Sequence, residues 1–184
     1  MTFNLPNLLS LLRMALVPVF VIRVLGGDVR GAFLVFAVAG VTDALDGAIA
    51  RIWRQQTALG TYLDPAADKL LLVTSYVVLA VPNLHPGYVI PAWVTALVIT
   101  RDIVIVVVAL LLYVTGGVSR FPPSPLSKLN TGVQVGTVIL VLLSGLSDTL
   151  EAPAMIASYA VACLTLASGI DYIVRANRMA GTRP

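Results

Sequence analysis

Charge is scarce in this chain. Only 11% of its 184 residues are charged, against about 25% in an ordinary soluble domain. Apolar residues make up 58%, and the mean hydropathy is +0.94. So little polar surface excludes a water-soluble globule. The single cysteine, Cys163, excludes an internal disulfide, and its apolar neighbours read as a small core position. The single histidine, His85, lies between Pro82 and Pro86 with no soft ligand near it. It reads as a surface residue of a loop and not as a metal ligand. The basic residues form no cluster with interleaved aromatics, which excludes a nucleic-acid surface. The N-terminus has no basic segment followed by a cleavage site, so neither a signal peptide nor a transit peptide is expected. No internal repeat and no low-complexity linker divides the chain, and residues 1–184 read as one domain.

What is present is a series of long apolar runs. Six of them, at about 7–25, 30–53, 64–81, 92–114, 129–146 and 154–174, approach the ~20 residues that cover a hydrocarbon core. The expected fold is an all-α integral membrane bundle of six transmembrane helices. The net charge of +3 then reports topology. Arg51, Arg54, Arg120 and Lys128 follow the second and fourth runs, and Arg175, Arg178 and Arg183 close the chain. The opposite side holds Arg30, with Arg23 at a helix end. The positive-inside rule puts both termini in the cytoplasm. Arg13 interrupts the first run, either as a snorkelling residue or as part of a polar site. Pro65 suits the first turn of the third helix, with Asp64 as its N-cap.

The acids are few, and they are concentrated. Asp43 and Asp46 stand three apart, Asp64 and Asp68 four apart, and each pair shares one helix face. Hydropathy and charge bias bring all four to one depth, in the cytoplasmic half. A carboxylate inside the bilayer costs ~3 kcal/mol even on the gentler insertion scale. Four together repel unless a cation joins them, so removing one should ease folding. Two helices offering paired acids can hold a hard divalent cation through oxygen ligands. Gly47, Ala50 and Gly60 keep bulk away from the adjacent backbone, and Arg51 can grip a phosphate. Lys69 points to another face and reads as snorkelling. Asp102 and Asp171 each have an arginine neighbour and fit ion-paired structural roles at least as well as functional ones.

The pattern D-x-x-D-G-x-x-A-R, eight residues, then G-x-x-x-D-x-x-x-D resembles the signature of the CDP-alcohol phosphotransferase family. Asp43, Asp46, Gly47, Ala50, Arg51, Gly60, Asp64 and Asp68 each fall on it. The resemblance implies transfer of a substituted phosphate from a CDP-alcohol to a second alcohol, with release of CMP. It implies Mg2+ or Mn2+ held by Asp43, Asp46, Asp64 and Asp68, with Asp68 as the base that takes the acceptor's proton. Gly47, Ala50, Arg51 and Gly60 then receive the CDP moiety of CDP-diacylglycerol. The site faces the cytoplasm from a multi-pass protein of the cell membrane, and a homodimer is implied as well.

The acceptor is less clearly written. PNLLSLLRMALVPVF resembles the opening of phosphatidylglycerophosphate synthases and of cardiolipin synthases of this family. Residues 99–102, ITRD, and 127–134, SKLNTGVQ, look closer to the eukaryotic-type cardiolipin synthases. Glycerol 3-phosphate is the expected acceptor and phosphatidylglycerol the alternative. Both carry a phosphate, for which Arg101 and Lys128 are candidate ligands. An ion-coupled transporter also buries acids, but at a midplane between repeats. A membrane prenyltransferase uses aspartates and magnesium, but not the D-G-x-x-A-R core.

Overall fold

The computed structural model describes residues 5–53, 58–114 and 124–181, with the side chains of 5–7, 44–53, 58–66, 68, 109–114, 176 and 178–181 outside the description. Among the described residues all regular structure is helical. In chain order the helices are α1 (Leu5–Leu25), α2 (Val29–Trp53), α3 (Ala58–Leu79), α4 (Ala92–Val114), α5 (Pro125–Ser144) and α6 (Glu151–Gly181). A single 3-10 turn, Asp148–Leu150, precedes α6. Helix α1 packs against both α2 and α3, α6 packs against α4 and α5, and α5 also touches α2 and α3.

The burial pattern is that of a protein solvated by lipid. Ile22, Leu34, Val106, Ile156 and Ile170 are all more than 60% exposed, while Ser10, Arg13, Asn130, Gln134, Thr137 and Thr165 are buried. In water this arrangement would forfeit roughly 1.5–3 kcal/mol for each large apolar side chain left outside. In hydrocarbon it costs nothing, provided the internal polar groups find partners. Hydroxyls do so by donating to the carbonyl one turn back. Ser75 Oγ reaches Leu71 O at 2.8 Å, and Thr137 Oγ1 reaches Val133 O at 2.8 Å. Among the described residues, three stretches are long and apolar enough to cross a membrane: Leu8–Leu25, Pro125–Ser144 and Asp148–Arg175.

The connections explain the helix ends. Helix α1 stops in a Schellman motif. Gly27, at φ +70°, donates to Val24 O, and the Asp28 amide donates to Arg23 O at 2.9 Å. Asp28 then caps α2, its Oδ1 accepting from the Gly31 amide at 2.9 Å. Ser124 caps α5 by accepting from the Ser127 amide at 3.1 Å, with Pro125 in the first turn. The 80–91 loop is tied down where Tyr88 N donates to Ser144 Oγ at 3.0 Å.

Three expectations fail here. Helix α3 begins at Ala58, so Asp64 and Pro65 lie inside it and Asp64 is not an N-cap. Proline breaks a helix through its missing amide and its ring, but a helix held by its neighbours tolerates it. His85 is not a surface residue. It is 9% exposed, and its ring nitrogens lie 3.0 Å from Pro86 O and 3.1 Å from Leu79 O. Cys163, read as a core residue, is exposed, because in lipid an apolar neighbourhood no longer means the inside.

Candidate active site

The signature divides between two helices. Asp43, Asp46, Gly47, Ala50 and Arg51 fall on α2, and Gly60, Asp64 and Asp68 fall on α3. Of the four acids, only Asp43 has a described side chain; the side chains of the other seven signature positions lie outside the described residues. Asp43 is half exposed and receives Arg13 Nη1 on its Oδ1 at 2.9 Å. The Arg13 side chain is 1% exposed. Arg13, undecided from the sequence, therefore belongs to a polar site: it reaches from α1 and fixes the orientation of the first signature acid.

Arg13 and Asp43 line a cavity of about 130 Å³, which Gly40, Lys69 and Thr131 also border. A Cβ at Gly40 would meet nothing within 4 Å, so this glycine leaves open space beside the acid. Asp43 offers at the edge of this cavity an oxygen of the kind a hard divalent cation takes, with Arg13 as its present counter-charge. Among the described residues no group of three metal-ligating side chains gathers.

A second cavity, of about 510 Å³, opens between α3, α4 and α5. Its polar border is Lys69, Arg101, Asp102, Ser127 and Thr131, and its walls include Val73, Ile103 and Val106. Lys69 and Thr131 border both cavities. Arg101, 8% exposed, is held on all sides. Its Nε donates to Ser168 Oγ at 3.1 Å, Nη1 to Asp102 Oδ1 at 2.9 Å, and Nη2 to Ser127 Oγ at 2.6 Å. Asp102 is also ion-paired with Lys69. The network thus joins α3, α4, α5 and α6.

Of the two expected acceptor ligands, only Arg101 borders this cavity; Lys128 is exposed and is not among the lining residues. Lys69, expected to snorkel, instead ion-pairs with Asp102 on α4, which supplies its counter-charge. The sequence signal for it was an acid in α4 with two possible basic partners, of which only the adjacent Arg101 was apparent. Ser127 and Ser168 carried no signal, since serines are common in membrane helices. Asp171 pairs with Arg175 at 2.9 Å, away from both cavities.

Comparison with known proteins places these features in a family. The model of the CDP-alcohol phosphatidyltransferase family matches residues 3–167. A probable phosphatidylglycerophosphate synthase of Mycobacterium tuberculosis is 35% identical over 184 residues, covering 97% of this chain and 84% of that protein. A CDP-diacylglycerol--glycerol-3-phosphate 3-phosphatidyltransferase of Haemophilus influenzae is 36% identical, covering 94% and 93%. A CMP-forming cardiolipin synthase of Rattus norvegicus is 38% identical over 151 residues, covering 72% of this chain and 48% of that protein. Matched along most of its length, with all eight signature positions filled, the chain belongs to the CDP-alcohol phosphatidyltransferase family.

Proposed function

We propose that this protein transfers the phosphatidyl group of CDP-diacylglycerol to an alcohol acceptor and releases CMP, with glycerol 3-phosphate as the acceptor and phosphatidylglycerophosphate as the product. The observation that carries the reading is the complete signature in a chain matched to its family over residues 3–167. Relatives named a probable phosphatidylglycerophosphate synthase and a CDP-diacylglycerol--glycerol-3-phosphate 3-phosphatidyltransferase align over nearly the whole chain at 35% and 36% identity, above the 32% and 31% of cardiolipin synthases aligned over a similar share, which favours glycerol 3-phosphate. The second reading, phosphatidylglycerol as acceptor, draws support from the apolar walls of the 510 Å³ cavity, which suit a lipid.

Asp43, Asp46, Asp64 and Asp68 are the candidate ligands for Mg2+ or Mn2+. When bound, the cation supplies charge neutralisation for the diphosphate. Arg13 holds Asp43 in place, and Arg51 adds positive charge toward the nucleotide's phosphates. Gly47, Ala50 and Gly60 give the nucleotide room. Asp68 accepts the proton of the acceptor hydroxyl as its oxygen bonds to the phosphorus that bears diacylglycerol. The bond from that phosphorus to the bridging oxygen breaks, and its electron pair leaves with CMP. A carboxylate among other anions favours the protonated form and so suits this role.

The remaining helices complete a single domain of six spans, with both termini and the site on the cytoplasmic side, as the distribution of arginine and lysine favours. The protein acts in the cell membrane as a homodimer. The test of the function is product analysis. Purified protein in detergent receives CDP-diacylglycerol, divalent cation and labelled glycerol 3-phosphate or labelled phosphatidylglycerol, and the lipids are separated. Label passing from glycerol 3-phosphate into phosphatidylglycerophosphate is expected. Label found only in cardiolipin selects the second reading, and absence of any lipid product, with cation-coupled uptake once the protein is placed in sealed vesicles, overturns both.

A further inference from the structure

Three charged side chains meet at the border of the 510 Å³ cavity, and they are not equivalent. Arg101 is buried and donates from each of its nitrogens to a protein oxygen on α4, α5 or α6. Its direction is set by the fold. Asp102 is 12% exposed and takes Arg101 on one oxygen and Lys69 on the other. Lys69 is 45% exposed at its side chain. It is the most exposed of the three, and lysine has a flexible stem ending in a compact cation. It is also the charged residue that borders both cavities, the one with Asp43 and the one with Arg101. A phosphate bound there would sit between the signature acids and the wider cavity.

We propose that Lys69 is the cation that takes the phosphate of the acceptor, and that Asp102 is a built-in competitor that holds Lys69 in place until the acceptor phosphate displaces it. Arg101 is then a positioning residue: it fixes Asp102 and does not itself follow the substrate. The inference rests on the phosphatidyltransferase reading. It names a phosphate monoester or phosphodiester as the recognised group, common to glycerol 3-phosphate and phosphatidylglycerol. The net charge of Lys69, Arg101 and Asp102 together is +1, which favours an anion over the empty state. Losing the lysine removes a hydrogen bond between charged groups, so the acceptor KM should rise about tenfold or more.

The opposite signs of two substitutions test this. Lys69→Gln removes the cation and should raise the acceptor KM while the CDP-diacylglycerol KM stays put. Asp102→Asn removes the competitor and should lower the acceptor KM severalfold. Lys69→Arg should restore most of the affinity. A merely structural ion pair would instead make both substitutions act in the same direction, on both substrates, through stability. That result overturns the proposal, as does a CDP-diacylglycerol KM that moves with the acceptor's. Should Lys69→Gln fail to fold, the Lys69→Gln/Asp102→Asn double variant removes both ends of the pair; it must still show the raised acceptor KM. Each assay is run with glycerol 3-phosphate and with phosphatidylglycerol, and the acceptor whose KM responds identifies the source of the phosphate. Wild-type CMP release, measured first in the same preparation, tests the parent reading separately.

Discussion

The Arg13–Asp43 pair makes an asymmetric prediction. Its two ends lie in different surroundings: the Arg13 side chain is 1% exposed and that of Asp43 is 47% exposed, with 2.9 Å between them. Removing one partner of a buried pair costs about 3–5 kcal/mol, because the other charge is left uncompensated. Asp43→Ala takes from the buried guanidinium the carboxylate that it meets at 2.9 Å. Since the pair is half open on the Asp43 side, the expected loss is at the low end, about 3 kcal/mol. Arg13→Met strands a carboxylate that already reaches the cavity, and it keeps an apolar stem of similar volume. Its cost should be nearer the ~1 kcal/mol of an exposed pair. The difference of about 2 kcal/mol is more than a tenfold change in the ratio of folded to unfolded protein. Reversible unfolding in mixed detergent micelles can read it through Trp93, whose ring centroid lies 6.0 Å from that of Tyr159 across α4 and α6. Equal losses in the two variants, or an Asp43→Ala protein as stable as the wild type, would refute the reasoning.

Further tests follow from the same structure. Gly87→Ala should cost at least about 2 kcal/mol, since Gly87 has φ +85° and an added Cβ would lie 2.5 Å from the backbone nitrogen of Gly145; Gly136→Ala, which meets nothing within 4 Å, is the control and should cost nothing in the same unfolding assay. The Gly31 amide, and then Arg23, hold the Asp28 carboxyl below its ordinary range. Its contribution to stability is therefore complete above the usual carboxylate pKa of about 4 and is lost as pH falls through the lowered value; Asp28→Asn should flatten that part of an acid titration. Asp68→Asn should bind CDP-diacylglycerol yet lose ~10²–10⁴-fold in kcat. Restoration of its rate by excess metal would make Asp68 a ligand and not the base.

Much of this was legible in the residues themselves. Apolar runs of about 20 residues locate helices because a bilayer leaves the backbone little alternative. The i,i+3 and i,i+4 acids point to a candidate site because aspartate inside a membrane has few other uses. Illegible was whatever depends on how helices face one another. Periodicity puts Lys69 on a different face from Asp68, but only the placement of α4 makes that face polar. The buried Arg13 beside Asp43 is a contact between α1 and α2 that spacing along the chain does not show. His85 does lie in the loop its prolines mark, yet it is buried there, with its ring nitrogens against two backbone carbonyls. Proline at 65 suggested a helix start because a single sequence does not reveal the packing that lets α3 run through it.

The central claim is that the paired acids of α2 and α3 carry phosphatidyl transfer. Its most direct test is CMP release from CDP-diacylglycerol by wild-type protein and by Asp64→Asn, in one detergent preparation, across a titration of magnesium or manganese. The account predicts acceptor- and metal-dependent CMP release by the wild type, and none by a folded Asp64→Asn at ordinary metal concentration. Wild-type turnover by Asp64→Asn, or release by the wild type that ignores both acceptor and metal, would contradict it.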